Sequence, residues 1–291
     1  MLHWLIGFAG AAAIAGLAYL KGSLSLSGMM SAVIMGTIFY GAGSAFWFGL
    51  LLVFFISSTL LSRWKKERKH ELEQSYAKTG RRDAGQVFAN GGLGMLVCLG
   101  YVIAPDPLWI YAYIGIMATV NSDTWATELG SLSRKPPRFV LTGRVVPKGT
   151  SGGVSLLGSC AALAAGCCIG LSAWLLLQLG GGAGGSQGAS ISAATDTVTA
   201  IGAGAVSLPG LLLLGSAGGF AGALADSVLG ATVQKMYRCR VCGQLVEVKQ
   251  HCGQLTERAR GWRWMTNDAV NLISSVAGGL IALWLGWSLG S

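Results

Sequence analysis

Long apolar runs alternate with short polar, mostly basic stretches along this chain, and that alternation is its strongest structural signal. Runs of about 20 apolar residues are the length of a helix that crosses a bilayer. Eight stand out, at roughly 2–20, 24–41, 43–61, 86–104, 108–129, 153–179, 206–229 and 268–289. They predict an all-α fold, a polytopic transmembrane helix bundle of about eight spans, as a single transmembrane domain over 1–291. Pro209 interrupts the start of the seventh run, which leaves a ninth, partial span between 190 and 229 as an alternative.

The basic residues orient the bundle. Lys21 follows the first run. The loop 62–85 holds Arg63, Lys65, Lys66, Arg68, Lys69, Lys78, Arg81 and Arg82. The loop 130–152 holds Arg134, Lys135, Arg138, Arg144 and Lys148, and the loop 230–267 holds Lys235, Arg238, Arg240, Lys249, Arg258, Arg260 and Arg263. These are all 21 Lys and Arg of the chain, and eight spans put every one on the same side. The positive-inside rule makes that side cytoplasmic and both termini external. The Gly/Ser-rich stretch 180–205, free of basic residues, reads as an external linker. The first run lacks a preceding basic residue and a cleavage pattern, so it reads as an anchor and not a signal peptide.

Composition adds little beyond this. The chain is 52% hydrophobic and 11% charged, against roughly a quarter charged in soluble domains. The net charge of +9 is a topology signal. No nucleic-acid partner is expected, because the charges flank spans and no aromatic-basic module accompanies them. The expected setting is a multi-pass protein of a bacterial plasma membrane, with membrane lipids around it and homo-oligomerisation left open.

Acidic side chains in apolar segments are costly and usually functional. Asp123, Glu128, Asp226 and Asp268 lie in or at the ends of runs, all within about two helical turns of the predicted cytoplasmic boundary. Asn90 and the segment 149–155 fall at the same level. On a helix, Asn121, Thr124 and Glu128 share one stripe and Asp123 and Thr127 the next. Gly215, Gly219, Gly222 and Asp226 line up as a seam of small residues ending at a carboxylate. Asn267 and Asn271 share a face beside Asp268. Any one of these acids has a plain alternative, a capping amide or a basic partner. Several at one depth repel unless a cation joins them, and hard oxygen donors suit Mg²⁺ shared with substrate phosphates. Asp123 and Asp226 are the preferred ligands, each followed by a hydroxyl residue, Thr124 and Ser227.

The stretch "VPKGTSGGVSLLG" (146–158) precedes the sixth run. A helix starting at about Gly153 presents free amides and a favourable dipole to an anion. Thr150 and Ser151 cap it or donate hydroxyls, Gly149, Gly152 and Gly153 admit close approach, and Lys148 and Arg144 add charge. A Walker A pattern is absent, and a plain flexible loop before a capped helix is the alternative. Arg81 and Arg82 read as topogenic.

Seven cysteines are present. Cys98, Cys160, Cys167 and Cys168 lie in apolar runs as packing residues. In "CRVCGQLVEVKQHCGQ" the group Cys239, Cys242, His251 and Cys252 fits a structural Cys₃His zinc site; reduced free thiols are the alternative, and a cytoplasmic disulfide is not expected.

These segments resemble an integral membrane family that includes the plant chloroplast phytyl-phosphate kinase. The resemblance rests on "GRRDAGQVFANGG", "NSDTWATELG", "VPKGTSGGVSLLG", "GALADSVLGATVQ", the Cys-x-x-Cys loop and "MTNDAVN". It implies a kinase passing a phosphoryl group from a nucleoside triphosphate, CTP or ATP, to an isoprenoid or phytyl lipid phosphate. Asp123, Glu128, Asp226, Asp268 and Lys148 would then be catalytic. Asn90, Gly149, Thr150, Ser151, Gly152, Gly153, Ser155, Ser227, Asn267 and Asn271 would bind cofactor and phosphates. An acceptor that is already a phosphate needs no strong base, consistent with His70 and His251 lying in loops. A transporter of a lipid phosphate or small anion is the rival reading, and a non-catalytic scaffold a third.

Overall fold

The computed structural model describes residues 1–64, 80–182 and 207–290. Most of the basic loop 62–85 and of the linker 180–205, with any partial span there, lies outside the described residues. Among the described residues the chain forms eight long helices. They are α1 (Leu2–Leu20), α2 (Leu26–Ile38, continued by a π-helical turn Phe39–Gly43), α3 (Ala45–Arg63) and α4 (Ala84–Ile103). After these come α5 (Pro107–Gly130), α6 (Leu156–Gly182), α7 (Leu208–Thr232) and α8 (Asn267–Gly290). Each matches a predicted run to within a few residues.

Local chemistry explains the helix starts. Ser25, Asp106 and Ser207 accept an N–H from the first turns of α2, α5 and α7, each satisfying an otherwise orphaned donor. Asp83 and Gln86 form a reciprocal capping box on α4. Pro209 lies in the first turn of α7, where its missing N–H has no helical partner to lose, so it starts the helix and does not break it.

Among the described residues, seven of these helices are long and apolar enough to cross a membrane. The exception is α5, whose run Asn121-Ser122-Asp123-Thr124 lowers its mean hydropathy. It is instead the most enclosed helix, buried without interruption from Ile110 to Ser122. Helices α5 and α7 pack against one another and each against both α6 and α8, while α1–α4 form a second group that meets α5, α6 and α8.

The α5–α8 group packs through small residues. A methyl added at Gly166 or Gly170 of α6 would meet the α7 backbone at 2.8 Å (Ser216 Cα) or 3.0 Å (Leu212 Cα). Gly218 and Gly222 of α7 lie against Gly278 and Thr119. Such spacing lets backbones approach without a hydrophobic driving force between helices. Where α2, α3, α4 and α5 meet, Phe39, Trp47, Tyr101 and Tyr113 form a buried aromatic cluster. There the Tyr113 hydroxyl donates to the Trp47 carbonyl at 2.6 Å.

Short strands occupy the polar loops. β1 (Arg138–Phe139) pairs antiparallel with β2 (Gly153–Val154). In the Cys-rich loop β3 (Met236–Arg238) lies between β4 (Leu245–Val246) and β7 (Glu257–Arg260), and β5 (Gln250–His251) forms a hairpin with β6 (Gln254–Leu255). The expected start of the sixth helix is therefore corrected. Gly153 belongs to a strand, and α6 begins at Leu156, its amide at Gly158 received by Ser155 at 3.1 Å.

Candidate active site: a polar cleft at the basic end of the bundle

The described parts of the segments that carry the basic residues meet at one end of the bundle around a cleft of about 640 Å³. Asp123 and Glu128 enter it from α5 and Asp226 from α7. Lys21, Arg63, Arg82 and Lys148 line it as well. Asn90, Ser227, Asn267, Asn271 and the whole of 148–155 also face it. Segments far apart in sequence, such as Asn90 and Asn271 with their side-chain amides 3.3 Å apart, thus share one site.

Asp123 and Asp226 interact electrostatically with each other and with Glu247, and Ser274 of α8 donates to Asp226 Oδ2 at 3.3 Å. Two carboxylates from facing helices and a third from a loop thus line one cleft, and carboxylate, amide and hydroxyl oxygens are the hard donors that suit Mg²⁺. Glu128 stands apart from this trio. It accepts from Ser62 at 2.5 Å and interacts electrostatically with Arg82.

The cations are held in place. Arg82 donates to Thr59 and Ser58 at 3.0 and 3.1 Å, and its backbone pairs with Ser23 and Ser25. Arg63 donates to the Lys21 carbonyl at 2.6 Å and to Ser23 at 2.8 Å. The Lys148 ammonium donates to the Ser133 carbonyl at 2.5 Å, just past the end of α5, where the helix dipole favours a cation.

The glycine-rich segment is a loop and not a helix N-terminus. Gly149 and Gly152 adopt φ of 81° and 85°, a left-handed backbone that favours glycine. At Gly152 a methyl would also come within 2.5 Å of the Ala231 Cβ. Thr150 donates to the Pro147 carbonyl at 2.7 Å and Ser151 to Gln234 Oε1 at 2.8 Å, so neither caps α6. That role falls to Ser155.

Two sequence expectations are corrected in position. Asp268 does not line the cleft; it lies in the first turn of α8, where the dipole favours a carboxylate. Arg144 is exposed and also off the cleft. Asn121, on the helical stripe of Thr124 and Glu128, faces the bundle interior and not the cleft. It is buried, accepts from Ser57 at 2.9 Å and donates to the Ala165 carbonyl at 3.2 Å, a brace between α3, α5 and α6.

Several cleft residues escape a reading by span. Glu247 comes from the Cys-rich loop, where it accepts from Gln234 Nε2 at 2.8 Å. Its signal was faint, an acid within the otherwise basic stretch from Lys235 to Lys249. Arg82 looked topogenic, yet it lies in the cleft wall beside Ser58, Thr59 and Gln86.

A second, mostly apolar pocket of about 70 Å³ lies between α1, α2, α3 and α4. Ala15, Ala32, Met35, Phe48 and Leu51 help line it. It shares Arg82, Gln86 and Asn90 with the polar cleft, so the two spaces adjoin.

In the Cys-rich loop, Cys239, Cys242, His251 and Cys252 bring their ligand atoms within 4.8 Å of one another. The backbone N–H of Cys242, helped by His251, lowers the Cys239 thiol to about 6. Desolvation, then the neighbouring Cys242 and Cys239, pushes the Cys252 thiol up to about 11.

The chain matches the family described as integral membrane protein DUF92 over residues 9–279. It is a member of that family and a multi-pass integral membrane protein. Among curated relatives it is similar to Protein PGR of Arabidopsis thaliana, 33% identical over 276 residues, covering 88% of this chain and 86% of that protein. It is also similar to an uncharacterized membrane protein of Methanocaldococcus jannaschii, 29% identical over 262 residues, covering 89% of this chain and 84% of the other. Protein VTE6, chloroplastic, of Arabidopsis thaliana is 29% identical over 148 residues, 49% of this chain and 44% of that protein. No solved structure matches. With relatives from a plant and an archaeon, family membership does not select a bacterial plasma membrane.

Proposed function

We propose that this protein is a membrane-embedded kinase that transfers a phosphoryl group from a nucleoside triphosphate to a prenyl or phytyl monophosphate at the cytoplasmic face. The carrying observation is the junction at Arg82, Gln86 and Asn90 between a charged cleft and an apolar pocket inside the bundle. A phosphate head fits the charged cleft, and the apolar space of about 70 Å³ takes the first few carbons of a hydrocarbon tail, the rest of which would continue between helices toward lipid. A wholly water-soluble acceptor leaves the apolar space unused. The resemblance to the family that includes the plant chloroplast phytyl-phosphate kinase supports the same reading.

In this reading Arg82 and Arg63 hold the lipid phosphate, with the tail between α1 and α4. The loop 148–153 and Lys148 hold the nucleotide phosphates. Asp123 and Asp226, with Glu247 beside them, would hold Mg²⁺, which when bound offsets the negative charge of the phosphates brought together. An oxygen of the lipid phosphate attacks the γ-phosphorus, the bond to the β,γ-bridging oxygen breaks, and the nucleoside diphosphate leaves. The product is the lipid diphosphate. Positioning and electrostatics carry this reaction, with little need of a base.

The test uses the full chain in nanodiscs with Mg²⁺, γ-labelled ATP or CTP, and geranylgeranyl or phytyl monophosphate. Labelled lipid diphosphate is the expected product. Its absence with both nucleotides, combined with counterflow of lipid phosphate in liposomes, would replace the kinase with the transporter.

A further inference from the structure

We infer that Cys239, Cys242, His251 and Cys252 bind one structural Zn²⁺, and that this ion fixes the loop which delivers Glu247 to the cleft. Four ligand atoms within 4.8 Å of one another is the first observation. A tetrahedral zinc with Zn–S of about 2.3 Å and Zn–N of about 2.0 Å separates its ligand atoms by about 3.5–3.8 Å. His251 Nδ1 stands 3.6 Å from Cys242 Sγ and 3.3 Å from Cys252 Sγ, close to that spacing. Three sulfurs and one imidazole nitrogen are a soft donor set that selects zinc over Mg²⁺ or Ca²⁺.

The backbone gives a second, independent observation. Adjacent residues such as His251 and Cys252 point to opposite sides of an extended strand, so they are poor joint ligands unless the chain turns between them. Here it does. His251 pairs with Gln254 across a two-residue turn, Cys252-Gly253. Both turn residues have positive φ, 52° and 74°, the requirement of a type I′ hairpin. Cys252 is the one non-glycine residue with positive φ among the described residues. A side chain held in that region costs on the order of 1–3 kcal/mol and persists where surroundings over-determine it. Ligation supplies such a reason. On the other arm, the Gly243 amide donates to the Cys239 carbonyl at 3.0 Å and the Val241 amide approaches Cys239 Sγ at 3.4 Å, which folds Cys239 and Cys242 toward one point.

The loop between these arms contains β4, and Glu247 follows it directly. Glu247 accepts from Gln234, and Gln234 in turn accepts from Ser151 of the glycine-rich loop. The metal thus closes the loop whose middle residue reaches the cleft. Short β-pairs of two residues, such as β4 with β3 and β5 with β6, give little independent stability, so a metal is the natural organiser.

The test is elemental analysis of the full chain purified without added metal, paired with hydrogen exchange. About one zinc per chain is expected, falling below one tenth in Cys242→Ser and in Cys252→Ala. In those variants exchange should rise in 236–260 and at 148–153 while the transmembrane helices stay protected. Co²⁺ replacing zinc in the wild-type chain should give a thiolate-to-cobalt charge-transfer band, a readout that needs no variant. Wild-type protein that carries no transition metal and shows no cobalt band overturns the zinc site. Zinc present, with unchanged exchange at 148–153 on its removal, overturns the coupling to the cleft. Neither outcome depends on kinase activity, so failure here is separable from failure of the proposed reaction.

Discussion

Gln234 joins two parts of the cleft that are distant in sequence: its Nε2 donates to Glu247 Oε1 at 2.8 Å while its Oε1 accepts from Ser151 at 2.8 Å. One amide therefore holds both an acidic loop and the glycine-rich loop. Gln234→Leu removes both bonds with little change in volume. A hydrogen bond to a charged group is worth about 1.5–3 kcal/mol, so the expected rise in KM for the nucleotide is roughly tenfold or more. The KM for the lipid should hold. Initial rates against each substrate check this, and an equal change in both would show that Gln234 serves general folding instead.

Asp123→Asn and Asp226→Asn keep size while removing a charge from each facing helix. Transfer should fall by about a thousandfold, the scale associated with losing a central electrostatic stabiliser. Mn²⁺ binding, followed by its paramagnetic resonance signal with the nucleotide present, should weaken in parallel. Full activity in both variants would remove these residues from the metal site. Asp268→Asn is the control, because Asp268 lies off the cleft, and its transfer rate should stay within about twofold.

The glycines of α7 make a separate prediction about stability. At Gly222 an added methyl overlaps Thr119 of the buried α5, and at Gly218 it comes within 3.0 Å of the Gly278 carbonyl oxygen. Overpacking of this kind costs about 1–3 kcal/mol, so Gly222→Ala should lower the midpoint of thermal unfolding in detergent by several degrees. Gly92→Ala is the contrast. Its methyl would meet only Phe88, at 3.8 Å, and alanine is a better helix former by about 1 kcal/mol. That variant should unfold at the same temperature or slightly higher.

Hydropathy and charge located all eight helices because each run is long, mostly apolar and bounded at one end by a basic residue or loop, so lipid and the positive-inside bias determine them almost alone. The depth of Asp123, Glu128 and Asp226 followed from that count. What depended on loop geometry did not follow. The left-handed backbone at Gly149 and Gly152 delays α6 to Leu156, and no periodicity encodes it. Asp268 and Asp226 looked alike by depth, yet helix rotation sends only Asp226 into the cleft. Asn121 sits one stripe away from Asp123, and packing against α3 and α6 turned it into a brace. Glu247 reaches the site through a loop path that only the folded Cys-rich segment defines.

The last prediction separates the lipid head from its tail. Arg82 lies at the junction of the two spaces, held by Ser58 and Thr59, whereas Ala32 lines the apolar pocket. If the phosphate rests at Arg82 and the chain runs between α1 and α4, the two positions affect different parts of one substrate. Arg82→Leu removes a charge that pairs with every acceptor, so KM should rise by about tenfold or more for short and long chains alike. Arg82→Lys should recover only part of this, since an ammonium cannot reproduce the bidentate geometry. Ala32→Phe fills the pocket and touches no phosphate. A space of about 70 Å³ beside Arg82 holds only the carbons next to the phosphate. The variant should therefore raise KM severalfold for geranylgeranyl and dimethylallyl monophosphate alike, each excluded methylene costing about 0.8 kcal/mol, and leave the Mg²⁺-nucleotide KM unchanged. An unchanged KM for both prenyl monophosphates in Ala32→Phe would place the tail elsewhere, and an Arg82→Leu variant with normal KM would move the head away from α4.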